Sequence, residues 1–328
     1  MEPYVHDAVL DMQIARDALD GAIAALDERA LDRYVPYGQK NVRDIVAHLA
    51  GADHAWALAA QGLLKGEAEQ AQPLTPEQAR SVRDAATRRR RDAALTELRA
   101  EMVRRRNLLL TLFDLLEPKH LAMRLPSFGE HNGVRERIWV GYHDRLHEAD
   151  IERAQRTNWH PAPQRFLPAL DPVVAALAPD ETLYVIYSVD ATYWERPSPL
   201  PGWSYRNLLA HISSGDWVLQ MQLRHVLEHG APAAWPHVAE GNRERIEARA
   251  HTTWQRLTDE FLSMRHETML LLASLDDGHL REPIERTWET PERRAGTLLD
   301  YLIWFPQHDG SHREQLRGAM RHRTSTRA

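Results

Sequence analysis

With 328 residues, 43% of them apolar and 27% charged, the chain can bury two hydrophobic cores and falls outside the disordered class. A formal charge of −6 argues against a dedicated nucleic-acid binder, and the absence of cysteine excludes disulfides, thiolate metal sites and a cysteine nucleophile. No apolar run approaches the ~18 residues that cross a bilayer, and residues 1–7 lack the basic and apolar blocks of a signal peptide. A cytoplasmic protein with no membrane or nucleic-acid partner is therefore expected.

In chain order, segment 7–30 carries Val9, Met12, Ile14, Leu19, Ile23 and Leu26 at roughly three-and-four spacing, which predicts a helix. Segment 41–64 follows Asn41, a candidate N-cap. Segment 76–117 opens with Thr75-Pro76-Glu77, a start signal, and ends in the apolar stretch 108–113; it reads as one or two helices. Segment 133–156 is the fourth predicted helix. Prolines interrupt the pattern around 158–163 and again at Pro168 and Pro172. Beyond them Ser204 caps a second helix-two segment, residues 269–272 match the earlier leucine-rich stretch, and 296–320 matches the fourth helix. Alternating β-branched runs are scarce, so no sheet is expected.

The chain is built twice. Residues 36–48, ending Val42-Arg43-Asp44-Ile45-Val46-Ala47-His48, lie over 199–211, ending Tyr205-Arg206-Asn207-Leu208-Leu209-Ala210-His211, at a shift of 163. His143-Asp144-Arg145-Leu146-His147 lies over His308-Asp309-Gly310-Ser311-His312 at a shift of 165. Two nearly equal shifts over so long an interval indicate a duplicated domain, divided here into 1–164 and 165–328. Four helices per half predict an all-α protein of two helix bundles.

Eighteen histidines are present, and a lone histidine on a helix is usually filler. Six stand apart. His143 and His147 share a helix face at i and i+4, as do His308 and His312. His48 and His211 stand on apolar helices, and all three positions recur in both halves. Two imidazoles one turn apart can grip one ion, and a third from a facing helix completes three ligands. That number leaves a position for water or substrate. Two divalent ions per chain are expected, zinc first, with nickel or iron also suited to imidazole.

Asp144 and Asp309 follow the first histidine of each pair, about 100° around the helix. They are candidates for general bases or for partners of the ligands, and equally for solvated acids. The H-D-x-x-H pattern is close to the H-E-x-x-H of zinc proteases, but only sixteen residues follow His312, and His322 is the one imidazole among them. Asp53 and Asp216 lie five residues past the helix-two histidine, about 140° off its face, and read as capping or salt-bridge residues; His54 reads as structural. The basic runs 88–91 and 104–106, flanked by Asp84, Asp92, Glu97 and Glu101, read as a solvated, ion-paired face. Trp56, Trp139, Trp203, Trp217 and Trp304 read as core.

Gly202-Trp203-Ser204 leading to His211, with His308 and His312 one turn apart, resembles the DinB-like (YfiT-like) metal-binding bundle superfamily. His48, His143 and His147 repeat the arrangement, although Gln39-Lys40-Asn41 departs from the usual lead-in. Pro306 and Gly310, around His308, predict a bend in that helix. The resemblance implies two tandem four-helix bundles, each with one metal ion on three histidines. Bundles of this kind pair through their helices, so the two copies are expected to pack as an internal pseudo-dimer. The resemblance also implies a small-molecule substrate. The first expectation is a thiol-dependent transferase or isomerase that activates a low-molecular-weight thiol cosubstrate at the metal. The alternatives are a metal-dependent hydrolase and a non-enzymatic resistance protein that sequesters a small molecule.

The duplication generates a prediction of its own. The short proline-containing linker holds the two halves at high effective concentration. Fragments 1–164 and 165–328, expressed separately and mixed, should sediment as a complex; two non-interacting monomers would remove the pseudo-dimer.

Overall fold

The computed structural model describes residues 3–37, 40–67, 81, 84–85, 87–125, 133–157, 159–161, 164–189, 191–232, 238–285 and 295–325. The chain forms two compact units, Met1–Pro161 and Ala162–Ala328. The helix start at Thr75-Pro76-Glu77, the lead-in residues Gly38 and Gln39, and linker residues Asn158, Ala162 and Pro163 lie outside the described residues. No helix among the described residues is long and apolar enough to cross a membrane.

The first unit consists of α1 (Pro3–Ala24), α2 (Val42–Lys65), α3 (Leu95–Asp114) and α4 (Gly141–Arg156), with short helices Pro118–Leu121 and Val134–Arg137 before α4. Helix α2 packs chiefly on α3, and α1 on α4. Asn41 caps α2 as its sequence suggests: its Oδ1 accepts from Asp44 N at 2.8 Å, and Gly66 ends the helix in the left-handed conformation, φ 73°. The 76–117 segment contains two helical stretches among its described residues, interrupted by a turn at 91–93 before α3.

The predicted single helix 133–156 is in fact two pieces, separated at 138–140. Just past the break, a Cβ on Gly141 would stand 2.6 Å from Asp11 Oδ2 and 3.0 Å from its carbonyl oxygen. Glycine therefore lets α4 lie close against α1, where Arg145 grips Asp11 at 3.0 and 3.3 Å.

Two apolar clusters fill this bundle. One gathers Met12, Trp56, Leu109 and Val140 with their neighbours; the other gathers Leu19, Ala50, Met102 and Ile151. Between them, on all four helices, lies a charged layer of Arg16, Asp53, Arg106 and Asp144, all buried. Arg16 donates to Asp144 at 2.9 and 3.2 Å and to Asp53 at 3.1 Å. Arg106 donates to Asp53 at 2.9 and 3.0 Å and to Asp144 at 2.8 Å. Two cations and two anions balance, and the carboxylate oxygens accept from guanidinium N–H groups.

The second unit is built from α5 (Asp171–Leu177), α6 (Asp180–Ser188), α7 (Tyr205–His229), α8 (Val238–Ala248), α9 (Trp254–Ala273) and α10 (Leu298–Ser325). Its first long helix is split at Ala178-Pro179, because proline cannot supply the N–H a continuous helix would need. Ser204 caps α7, accepting from Asn207 N at 3.2 Å. Helix α10 runs unbroken through Pro306. Although no sheet was expected, Pro283–Glu285 and Ala295–Thr297 form an antiparallel pair, with Ile284 opposite Gly296. Three residues per strand are too few for an alternating pattern to register.

Loss of Arg106 would leave two buried carboxylates sharing Arg16 alone. Arg106→Leu should therefore cost about 3–5 kcal/mol in urea unfolding. Arg43→Ala, which breaks an outer pair with the largely exposed Glu28, should cost less than about 1 kcal/mol. Equal effects would contradict the structural weight given to the layer.

Candidate metal centres

Each triad is positioned by a cap and by the charged layer. His48 lies seven residues past the Asn41 cap, and His211 seven past the Ser204 cap, so each projects from the same face of its helix two turns in. His143 and His147 flank the layer's Asp144 on α4; His308 and His312 flank Asp309 on α10. The helices thereby bring together the three histidines of each half, with one nitrogen from each ring lying within 4.8 Å of the others.

In the first unit His48 Nε2 lies 3.0 Å from His143 Nε2, and the ring centroids are 4.6–5.2 Å apart. In the second, His211 Nε2 lies 3.3 Å from His308 Nε2 and 3.1 Å from His312 Nε2, while His308 and His312 are 3.1 Å apart. A tetrahedral ion with bonds of about 2.0–2.1 Å spaces its donors about 3.3 Å apart. The donor set thus fits one divalent cation per triad. A cation there would satisfy imidazole lone pairs that otherwise face one another.

The protonation states agree. Burial first, then the neighbouring His147 and His48, hold His143 well below the ordinary histidine range. Burial, His312 and His308 push His211 down to about 3. His312 is lowered by burial and His308, against an opposing hydrogen bond to Gln315. Neutral imidazole is the form that binds metal.

Asp144 and Asp309, the candidate bases, are buried rather than solvated. Both oxygens of Asp144 accept from arginine, an arrangement poorly suited to taking a proton from substrate. Asp309 pairs with Arg265, which also grips Asp216 at 2.9–3.0 Å. Burial would raise Asp309, but Arg265 and His308 outweigh it and hold the carboxyl low; for Asp216 burial prevails and the carboxyl is raised. Asp53 and Asp216 are salt-bridge residues, as expected, and do not cap. Arg106 corrects the reading of 104–106 as a solvated face: it is buried, whereas Arg90, Arg91 and Arg105 make the expected outer pairs with Glu101 and Asp44. His54 meets Arg105 at 3.0 Å and belongs to neither triad.

Sequence reasoning passed over two residues. His147 Nδ1 lies 3.0 Å from Asp150 Oδ2, and His312 Nδ1 lies 2.8 Å from Gln315 Oε1. Both partners stand three residues past the last histidine, a spacing that was available to find them. Trp203 and Trp304, read as core, are half-buried beside the second triad. Trp203 meets His211 at 5.0 Å between centroids, and Trp304 meets His308 at 5.9 Å.

A bundle that sets one helix-two histidine against a pair one turn apart on its last helix, twice in one chain, is a duplicated DinB-like bundle. Residues 12–155 and 175–302 each match the family model described as the mycothiol maleylpyruvate isomerase N-terminal domain, and the chain belongs to that family. The first match takes in His48, His143 and His147; the second contains His211 and ends before His308 and His312. No curated protein and no solved structure matches the chain.

The depressed His211 yields a pH prediction for metal-free protein. Between about 3 and 6.5 the folded imidazole is neutral while the unfolded one is protonated. Stability is therefore lost as pH falls through that window. His211→Asn should make the fall shallower by up to about 1.4 kcal/mol per pH unit. Urea titrations between pH 6.5 and 5 read this directly, and an unchanged slope would mean that His211 is not held neutral.

Proposed function

We propose that each triad binds one divalent ion, zinc first among candidates, and that the protein is a metal-dependent enzyme transferring a low-molecular-weight thiol to a small electrophile or isomerising it through that thiol. The observation that carries this reading is the convergence of His211, His308 and His312 through Nε2 at 3.1–3.3 Å. His48, His143 and His147 would hold the other ion. When bound, the ion would supply Lewis acidity and lower the pKa of a coordinated thiol. The family's name includes mycothiol and maleylpyruvate, and a chain without cysteine needs an external thiol for such chemistry.

The chain's own residues set the surroundings. Trp203 and Trp304 place apolar rings beside the second triad, which limits water there and strengthens nearby electrostatic interactions. In the repeat alignment Lys40, an exposed residue, takes the place of Trp203 in the first unit.

The test has two parts. Protein purified without chelator should carry two ions per chain by elemental analysis, and His143→Ala/His147→Ala should carry one. Loaded protein should then consume maleylpyruvate only when mycothiol is present. Turnover without thiol would favour the hydrolase, and tight ligand binding without turnover a sequestering protein.

A further inference from the structure

Asp150 and Gln315 occupy the same place in the two units but differ in charge. Each lies three residues past the last histidine of its triad, on the same helix face. Each accepts from the Nδ1–H of that histidine, Asp150 Oδ2 at 3.0 Å from His147 and Gln315 Oε1 at 2.8 Å from His312. A neutral imidazole has one N–H. With that proton on Nδ1, Nε2 is left as a bare donor, and in the second unit it lies 3.1 Å from both other Nε2 atoms.

The surroundings explain why one partner is a carboxylate and the other an amide. Arg153 Nη1 holds the second Asp150 oxygen at 3.2 Å, so this buried-side acid has its counter-charge. At the repeat shift of 165 the counterpart of Arg153 is Gly318. A Cβ at Gly318 would stand 2.9 Å from the Tyr205 hydroxyl. The Tyr205 hydroxyl thus crowds any side chain at 318, and with glycine there Gln315 has no counterpart of the arginine that pairs with Asp150.

We propose that Asp150 and Gln315 are positioning residues that fix the tautomer and ring orientation of His147 and His312, and that the carboxylate in one and the amide in the other make the two metal centres chemically unequal. This rests on the reading that each triad holds a divalent ion. An imidazole hydrogen-bonded to a carboxylate is a stronger electron donor than one bonded to an amide, so the partner's charge tunes metal affinity. The comparison is made within each site, so the unequal charged layers of the two units do not enter it.

The experiment is a zinc titration of the full-length metal-free chain against a chromophoric chelator. The first site is read in a His308→Ala/His312→Ala background, the second in a His143→Ala/His147→Ala background. Asp150→Asn keeps an acceptor but removes the charge, and should weaken zinc binding about 10-fold; Asp150→Ala removes both, and should weaken it toward 100-fold. Gln315→Glu should tighten the second site about 10-fold, a gain that a purely structural role would not produce. Thermal unfolding of the metal-free variants separates affinity from fold loss. If zinc binds both parents but none of the three substitutions moves its affinity by more than twofold, the positioning role is overturned while the metal reading stands. If neither parent binds zinc, the metal reading falls and this inference with it.

Discussion

The structure depends on guanidinium groups buried between carboxylates from different helices. In the first unit Arg16, Asp53, Arg106 and Asp144 supply one charge from each long helix, and their hydrogen bonds are short and multiple. Apolar packing alone tolerates sliding of one helix on another, whereas a two-point arginine–carboxylate contact does not. Asp144 is part of that layer and lies directly between His143 and His147 in sequence. The layer therefore fixes the register of α4 against α1, α2 and α3, and with it the separation of the histidine pair from His48.

The second unit solves the same problem with fewer charges. Arg265 reaches Asp216, Asp309 and the carbonyl of Leu177, as Arg106 reaches Asp53, Asp144 and the carbonyl of Met12. Among the described residues no second arginine joins this layer: at the shift of 165 that relates Met12 to Leu177, the counterpart of Arg16 is Glu181, which pairs with Arg317. One cation then serves two anions, with Thr268 donating to Asp216 at 2.8 Å. Burial raises the Asp216 carboxyl, Arg265 opposes it, and the neighbouring Asp309 adds to the rise. Duplication kept the geometry of the triad while the charges beneath it changed, together with the partner of its last histidine and the residue at Trp203, whose counterpart is Lys40.

The all-α class and the two triads were legible because they rest on local periodicity and on a repeat. An i, i+4 histidine pair found twice is conspicuous, and so are the caps at Asn41 and Ser204. The charged layer was not legible. Arg16, Arg106 and Arg265 are assembled by tertiary packing, and a buried arginine in a basic run looks like its exposed neighbours, as Arg106 did beside Arg104 and Arg105. Asp144 and Asp309 were legible only as bases, partners of the ligands or solvated acids; burial excludes the last, and both face arginines across the core, with Asp309 Oδ1 also 3.8 Å from His308 Nδ1. The need for glycine at 141 was hidden as well, because it answers to the closeness of Asp11, 130 positions earlier in the chain.

The central claim is that each half presents three imidazoles to one ion and leaves a position open to an external ligand. X-ray absorption at the metal edge of the fully zinc-loaded chain tests it most directly. The account predicts three imidazole nitrogens at about 2.0–2.1 Å and one further light atom, replaced by sulfur when a low-molecular-weight thiol is added. Four protein donors per ion and a spectrum indifferent to thiol would contradict it, and would make these centres structural.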